Sequence, residues 1–380
     1  MMRRSCLYTA IFLISVFAVQ LFAQKASMLV QNDNERRGHP GLWLCHYPSG
    51  DITTIRDYMI LWAALSPDGR KVCYANNGNL YITNNNGTGE EEVVTGGGFH
   101  EAFQIFWTTN GIFWINDKDH TMYRYDVAAD KKTTVLDMTT LGSICEMGGG
   151  WDCSADGHRM WLKEGFDPPD IDSLYCGVRG YTRGAHPYIH WNNDFSSFDA
   201  IWRSEWGHGN TMSKDGYLFL VRLGQHTDLW VTRQTGTTLE TVYDKYSLIP
   251  AYTEEARNIC GSINNDSIMG ANWLHEADNN TNKLIFWNWR TKEMGGQFPH
   301  PCANCADADN RLKVRTVWYG DLPKLDGPFL AASPTELIYQ AGDVGPKTIT
   351  VTNDGTGTLT AVTASENADW LSASVSNWPL

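Results

Sequence analysis

A two-part sequence unit recurs along most of this chain, and it restricts the possible folds more than any other feature. Its clearest copy is ALSPDGRKVCYANNGNLYITNNNGTG, over residues 64–89. A tight Ser-Pro-Asp-Gly turn at 66–69 precedes a short strand, a second turn around Asn76–Gly78 and a second strand over Asn79–Thr83. Short strands separated by turn residues, without helical periodicity, predict a β-hairpin.

Both parts of the unit return. The turn reappears as SADG at 154–157 and SKDG at 213–216, and in weaker form as TTNG at 108–111 and SINND at 262–266. The second part, a Leu-aromatic strand, has six copies, anchored at Leu42, Leu80, Met122, Leu174, Leu229 and Leu284. The anchors lie about 40 to 55 residues apart, which suits four-stranded propeller blades. The sequence therefore predicts an all-β fold, a β-propeller with six blades.

In the stretch SPDGRKVCYANNGNLYITNNNGTG the chain resembles the TolB-type propeller repeat, a WD40-like repeat in which a Ser-Pro-Asp-Gly turn precedes the second strand of each blade. The resemblance covers roughly residues 26–322. It implies the fold but no single activity, because this scaffold serves protein docking, sugar binding and hydrolysis. A ring of blades leaves no end blade exposed. RLKVRTVW, at 311–318, is the candidate closing strand, and we expect it to pair near Gly41–Cys45.

The first residues predict export. Residues 1–23 contain two arginines, then an apolar run from Leu7 to Phe22, then the small residue Ala23, which is the order of a secretory signal peptide. The run is shorter than the roughly 20 apolar residues of a membrane span. We therefore expect a secreted or periplasmic chain that begins at Gln24, with a place at the cell surface also open and no membrane insertion.

A second domain is expected after the propeller, which we assign to residues 24–322. Pro and Gly mark a linker at 323–328, and residues 329–380 contain short segments rich in Thr, Val and Ser. The stretch SPTELIYQAGDVGPKTITVTNDGTGTLTAVTASENADWLSASV resembles the N-terminal part of a BACON-type immunoglobulin-like domain, most specifically at Asp369–Leu371. That resemblance implies a partial immunoglobulin-like β-sandwich, of a kind for which carbohydrate or mucin binding has been suggested.

The net charge argues against some partners, and the cysteine content leaves open whether the cysteines form disulfides. The formal net charge is −13, and loss of Arg3 and Arg4 with the signal takes it to −15. An acidic chain without Lys/Arg clusters argues against nucleic acid, because phosphate binding needs a basic surface. An even number of cysteines in an exported chain permits disulfides, and buried free thiols are equally compatible. The cysteines that follow the signal are Cys45, Cys73, Cys145, Cys153, Cys176, Cys260, Cys302 and Cys305.

No convergent catalytic set is evident. The innermost strand of each blade should precede the Ser-x-Asp-Gly turn, which gives the windows Leu61–Ala63, Phe103–Ile105, Gly149–Trp151, His208–Asn210 and Arg257–Ile259. These windows contain no pair of carboxylates for glycosidase chemistry. Metal-dependent lyases on this repeat type place histidines at the channel mouth, so a His-based site is an alternative. Its candidates are His100, His186, His190 and His208, for which we favour loop positions bonded to backbone.

The motif HPCANC, at 300–305, pairs Cys302 with Cys305 beside His300. No second cysteine pair lies nearby in sequence to complete a zinc site, and Ala306 stands where haem attachment needs a histidine. A structural disulfide, or pairing with other cysteines, is therefore favoured. We predict no catalytic residue, no metal ligand and no cofactor.

Aromatic residues supply the candidate ligand site. The chain has 16 tryptophans, and sugars stack on exposed aromatic rings, although packing between blades is the competing explanation. Trp151 follows three glycines, and the segment DFSSFDAIWRSEWGHGNTMSKDG, at 194–216, combines aromatic, charged and amide groups. The predicted ligand-binding residues are Trp151, Trp202, Arg203, Glu205, Trp206, His208 and Asn210.

We therefore expect a non-enzymatic recognition protein. It would bind a polysaccharide or a surface or envelope protein through the loop face of the propeller, with the C-terminal module as an adhesive or spacer. The alternative is a propeller-type polysaccharide lyase or glycoside hydrolase with a His-based or metal site at the channel mouth.

Overall fold

A computed structural model gives the fold of the protein. The structure describes residues 25–32, 40–99, 105–116, 118–146, 151–162, 165–167, 186–203, 207–222, 229–235, 238–246, 256–275, 281–301, 312–325, 330–333, 347–353 and 355–358. The chain divides into two compact units, Met1–Leu322 and Pro323–Leu380. In the described residues, the first unit is built from six four-stranded antiparallel sheets arranged as a propeller.

Blades 1 to 3 contain the first eleven strands. Blade 1 has β1 (Ala26–Asn32), β2 (Gly41–Tyr47) and β3 (Ile52–Arg56). Blade 2 runs from its inner to its outer strand as β4 (Trp62–Leu65), β5 (Lys71–Asn76), β6 (Asn79–Asn84) and β7 (Glu91–Val94). Blade 3 follows in the same order as β8 (Phe106–Thr108), β9 (Gly111–Asn116), β10 (Thr121–Asp126) and β11 (Lys131–Asp137).

A short 3₁₀-helix, Met138–Leu141, follows β11, and β12 (Ser143–Glu146) pairs with β15 (Gly165–Asp167) outside the blades. Blade 4 contains β13 (Trp151–Cys153), β14 (Arg159–Leu162), β16 (His186–Trp191) and β17 (Phe198–Arg203). Blade 5 contains β18 (Gly207–Met212), β19 (Leu218–Arg222), β20 (Leu229–Thr235) and β21 (Thr238–Tyr246). Blade 6 contains β22 (Ala256–Gly261), β23 (Ile268–His275), β24 (Thr281–Asn288) and β25 (Glu293–Gln297).

Strand β26 (Lys313–Tyr319) closes the ring as the inner strand of blade 1. It pairs antiparallel with β1, with Leu29 opposite Thr316 and Ser27 opposite Trp318. The predicted closing strand is therefore correct, and it joins the sheet that contains Gly41–Cys45, but its direct partner is β1, which lies between that segment and β26. Strand β1 is buried along its whole length, so both of its edges need a partner, and among the described strands β26 fills the inner edge.

The repeat anchors match the structure in five blades. Each of those anchors lies in the third strand of its blade, at Leu42, Leu80, Met122, Leu229 and Leu284. Blade 4 departs from the prediction, because its third strand is β16 and not the segment around Leu174, which lies outside the described residues. Additional chain between β14 and β16, which includes β15, displaces the third strand from the expected spacing.

The Ser-x-Asp-Gly turn recurs because its own side chains hold it. In blade 2 the Ser66 hydroxyl donates to Asp68 Oδ1 (2.6 Å) and accepts from the Lys71 backbone N–H (2.9 Å). Ser154 and Ser213 make the same pair of bonds in blades 4 and 5. Gly157 has φ +75°, a conformation that glycine adopts without steric cost. All three serines are buried, so these bonds take the place of water.

These turns bond to one another around one end of the propeller. The Thr109 N–H donates to Ala155 O (2.9 Å), and the Ala155 N–H donates to Lys214 O (3.2 Å). Asn264 in blade 6 accepts from the Tyr319 N–H (2.9 Å) and donates to Tyr319 O (2.7 Å) at the end of β26. We call this end, where the inner strands finish, the turn face.

The opposite end is the crossover face, where the chain passes from the outer strand of one blade to the inner strand of the next. The two faces differ in the length of their connections. The turn-face connections are short, as at 66–70, 127–130, 154–158 and 213–217. The long connections leave from the crossover face, at 95–105, 138–150, 163–185, 247–255 and 298–312.

Aromatic side chains fill the spaces between blades. The largest side chains with almost no exposure include Trp114, Trp161, Trp287 and Trp289. Interblade packing therefore explains these tryptophans without a ligand. Among the described cysteines, Cys45, Cys73, Cys153 and Cys260 are buried free thiols, while Cys302 and Cys305 lie outside the described residues.

In the second unit, β27 (Leu330–Ser333) pairs antiparallel with β28 (Thr350–Asn353), and Leu325 forms a parallel bridge with Gly355. Asp369–Leu371 lies outside the described residues, so the immunoglobulin-like assignment stays a prediction. Across the part of the chain that the structure describes, no helix has the length and apolar character needed to span a membrane.

Candidate functional site

A central cavity of about 150 Å³ lies between the inner strands of all six blades. From blades 2 to 4 it is bordered by residues that include Trp62, Phe106, Trp107 and Trp151, whose aromatic side chains pack in the cores between blades. The wall from blades 5, 6 and 1 carries smaller and polar groups, among them Thr211, Ser213, Gly261, Ser262, Arg315 and Thr316. The cavity is therefore bordered by polar groups on one side and by largely buried aromatic residues on the other.

Asp152, on β13, is a buried carboxylate at this cavity. One carboxylate oxygen accepts from the Cys153 N–H (2.7 Å), and the other accepts from the Met212 N–H of blade 5 (2.8 Å). Burial raises the pKa of Asp152 to about 7, against the opposing effect of the Thr211 hydroxyl and these two N–H groups. Asp152 therefore joins blade 4 to blade 5 and titrates near neutral pH.

Other pairs of neighbouring blades are also joined by a bond from a backbone N–H to a side-chain oxygen. The Thr211 hydroxyl accepts from the Gly261 N–H of blade 6 (3.1 Å). A Cβ at Gly261 would lie 2.3 Å from Met212 O, so glycine is what permits this approach of two backbones. Between blades 1 and 2, the Thr316 hydroxyl accepts from the Leu65 N–H (3.4 Å). Short polar side chains on the inner strands therefore connect neighbouring blades around the cavity.

Arg315, on the closing strand, borders the cavity. Its Nε donates to Gln31 Oε1 (2.7 Å), and Gln31 Nε2 donates in turn to the carbonyls of Ile60 and Leu61 (2.8 Å each). The Arg315 guanidinium carbon lies 3.5 Å from the centre of the Trp62 ring. Lys313 Nζ approaches the same ring at 5.1 Å. A buried amide and an indole thus fix the orientation of the guanidinium.

The predicted ligand residues that the structure describes lie on inner strands and on an outer strand of the propeller. Trp151 lies on the inner strand β13 and borders the cavity, but its side chain is only 2% exposed and packs edge-on against Phe106, with ring centres 4.6 Å apart. Trp202, on the outer strand β17, is half-buried and packs against the core between blades 3 and 4. Arg203 ends the same outer strand.

His208 and Asn210 lie on the inner strand β18, while Glu205 and Trp206 fall outside the described residues. The structure describes only the backbone at Arg203, His208 and Asn210. One crossover connection therefore joins the outer edge of blade 4, at Arg203, to the inner strand of blade 5. The role of these predicted residues as ligand contacts stays a prediction.

Asp152 and Arg315 are among the cavity residues that the sequence windows missed. Strand β13 ends at Cys153, directly before the turn at Ser154, so the window that ends at Trp151 stops one residue short of Asp152. Arg315 was missed because no Ser-x-Asp-Gly turn follows the closing strand. The alternation of Lys313, Val314 and Arg315 was the available signal, since period-two alternation places both cations on one face of a strand.

The histidine candidates stay open. His190 lies on β16, and its pKa is lowered by burial and by the nearby Arg159 charge. His100 and the side chains of His186 and His208 lie outside what the structure describes. Within the described ranges, no group of three His, Cys, Asp or Glu side chains is arranged to hold a metal ion.

The fold is similar to that of TolB from Acinetobacter baumannii, with a TM-score of 0.50 and 13% identity over 80% of this chain and 67% of that chain. A nidogen/laminin complex gives a TM-score of 0.46 at 8% identity, covering 77% of this chain and 98% of that chain. A putative TolB from Agrobacterium tumefaciens gives 0.44 at 13% identity, covering 79% and 99%. The similarity to the first of these confirms the TolB-like propeller fold and carries no activity. No protein-family model and no curated protein matches the chain.

Proposed function

We propose that this chain is an exported recognition protein that binds a glycan or a protein partner through its crossover face, in the periplasm or outside the cell. The main support for this proposal is the difference in connection length between the two faces of the propeller. The turn face is closed by short turns whose backbones bond to one another, whereas the long connections all leave from the crossover face. Binding residues concentrate on loops that a rigid scaffold positions, which favours the crossover face.

The proposed contact region runs from Trp202, near the end of β17, through the short connection at 204–206 to Asn210 on the inner strand β18. It belongs to the crossover face, and its sequence supplies indole rings beside a guanidinium, a carboxylate, an imidazole and an amide. Indole faces stack on the C–H faces of a sugar, and the polar groups supply directed hydrogen bonds to its hydroxyls. That combination supports a glycan as the first ligand class to test.

A glycan array with the wild-type protein and Trp206→Ala tests the proposal. We expect the wild type to bind at least one glycan, and we expect the variant to lose most of that signal while its melting temperature stays unchanged. Arg233→Ala is the matched control, because Arg233 is exposed and lies toward the turn-face end of β20. Absence of binding by the wild type, or equal loss in both variants, would contradict a glycan site here.

The protein-partner form of the proposal has a separate test. A photo-crosslinking residue in place of Trp206 should capture a partner that the same residue in place of Arg233 does not. The catalytic alternative, a lyase or hydrolase, is favoured by no contact in the described ranges, where the carboxylate of Asp152 is already bonded to two backbone N–H groups.

A further inference from the structure

The turns between the third and fourth strands of the blades share a backbone feature, and blade 4 differs in the residue that adopts it. In the five blades where this turn is described, it contains a residue with positive φ. These residues include Gly50 (+79°), Gly87 (+85°), Asp130 (+48°), Phe195 (+60°) and Lys292 (+64°). Glycine adopts this left-handed conformation without steric cost, whereas a bulky side chain there is strained. Strained residues of this kind cluster at switch regions and persist only where other contacts hold them.

The contacts that hold Phe195 are made by its ring, which lies in the core between blades 3 and 4 and is largely buried. The ring stacks on the His158 imidazole, with ring centres 4.6 Å apart and an angle of 13° between the planes. The ring of Phe113 and the guanidinium carbon of Arg124, both from blade 3, each lie 5.4 Å from the centre of the same ring. Burial and stacking of the ring therefore compensate for the backbone strain.

The rest of this turn is exposed and bonds within itself. In 192–197 every residue except Phe195 is exposed. The Asn192 N–H donates to Ser197 O (2.9 Å), and the Ser196 N–H donates to the Asn192 side chain (3.0 Å). Among the described residues, no hydrogen bond connects 192–197 to another blade. The Phe195 ring is therefore the attachment of this turn to blade 3, and the turn can swing away without breaking its own bonds.

Two buried nitrogen atoms, on side chains that contact the ring, lower the cost of opening. Arg124 Nε and His158 Nδ1 are both buried, and neither has a hydrogen-bond partner within the part of the chain that the structure describes. A buried polar atom without a partner raises the free energy of the closed form, and contact with water removes that penalty. Rotation of Phe195 out of the core also releases its left-handed backbone. Two terms therefore oppose the burial of the ring, which favours a populated open form.

We propose that the 192–197 turn is a lid on the turn face, latched by Phe195, which opens and closes while the propeller stays folded. In the closed form the Phe195 ring covers the core between blades 3 and 4. In the open form the His158 imidazole and the Arg124 guanidinium face solvent, so the lid controls access to two hydrogen-bonding side chains. The lid belongs to the turn face, and the proposal does not depend on binding at the crossover face.

Fluorine NMR on the full chain tests the lid, with 4-fluorophenylalanine in place of Phe195 in one sample and in place of Phe113 in another. Phe113 is the matched control, because its ring lies in the same core, is completely buried and belongs to strand β9. Saturation-transfer spectra should show that position 195 exchanges slowly with a minor state, populated at about 1–10%. The chemical shift of that state should match a ring exposed to water, and position 113 should show no such state.

His158→Phe supplies a second measurement, with the fluorine label at position 195. Phenylalanine keeps a stacked ring and removes the buried Nδ1 atom, so the population of the open form should fall several-fold. An open population that is unchanged or larger in the folded variant would contradict the proposal.

Two outcomes without the variant would also overturn the lid. One is the absence of exchange at position 195. The other is equal exchange at positions 195 and 113, which indicates that the whole core unfolds. If His158→Phe does not fold, the comparison of these two positions still decides the question. The samples contain no glycan and no protein partner, so failure of the lid proposal leaves the proposed function untouched.

Discussion

Asp152 shows how one residue can make the stability of the ring depend on pH. Its carboxyl group is buried between blades 4 and 5, and its pKa is raised to about 7 by that burial. In the unfolded chain the same group titrates near pH 4. The folded state therefore holds the proton more tightly between these two values. It follows that the contribution of Asp152 to the free energy of unfolding rises as the pH falls from about 7 to about 4.

We predict that Asp152→Asn changes this pH dependence. Asparagine has one carbonyl oxygen for the two N–H donors of Cys153 and Met212, so at pH 5 the variant should be less stable by about 1–3 kcal/mol. The difference should shrink toward pH 8, where the wild type carries a buried charge and the variant does not. Urea denaturation at a series of pH values measures it, and a difference that is constant from pH 5 to 8 would contradict the assignment.

Among the secondary-structure elements, the three Ser-x-Asp-Gly turns should each contribute a similar amount to the free energy of unfolding through their serine. Ser66→Ala, Ser154→Ala and Ser213→Ala each remove a buried hydroxyl that bridges an aspartate and a backbone N–H. We expect each variant to lose about 1–3 kcal/mol in denaturant unfolding.

Ser196→Ala is the matched control for the turn serines. Its hydroxyl also donates to a nearby aspartate, Asp194 (2.6 Å), but this turn is exposed and water can replace the bond. We expect a change within about 0.5 kcal/mol. If the exposed serine costs as much as the buried ones, burial is not the reason for the recurrence of the motif.

The turns also explain which elements the sequence predicted. A Ser-x-Asp-Gly turn is stabilised by bonds among its own residues, so a single local stretch is enough to identify it. The third strand of blade 4 and the partner of the closing strand depend on pairings between distant segments. The sequence contains no local signal for them, since the chain inserted between β14 and β16 shifts the spacing, and the pairing of β26 with β1 joins the two ends of the propeller.

The candidate site was predicted only in part, for the same reason. The window counted back from the Ser-x-Asp-Gly turn placed Trp151 on an inner strand, as the structure has it, but could not show that its indole packs in the core between blades 3 and 4. Asp152 and Arg315 acquire their roles from neighbouring blades, through Met212 in one case and Gln31 and Trp62 in the other. Such partners emerge only when the ring is assembled.

For the whole molecule, closure by β26 should decide whether the propeller unfolds as one unit. A chain that ends at Leu322 keeps β26, and we expect it to keep a single sharp thermal transition. A chain that ends at Pro301 lacks β26 and leaves the buried inner edge of β1 without its partner. We expect this shorter chain to lose the sharp transition in far-ultraviolet circular dichroism. Equal melting temperatures for the two chains would show that closure does not hold the ring together.

The position of β26 also has a consequence for biosynthesis. Gln31 and Arg315 are in contact in the finished blade but lie 284 residues apart along the chain. At roughly 5–20 residues per second, a ribosome needs between about 15 and 60 s to make the intervening segment. For that time β1 has an unfilled hydrogen-bonding edge that any extended strand can occupy. Blade 1 is thus the first blade to be started and the last to be finished, and its open edge is where a slowly made or stalled chain is most exposed to wrong pairing.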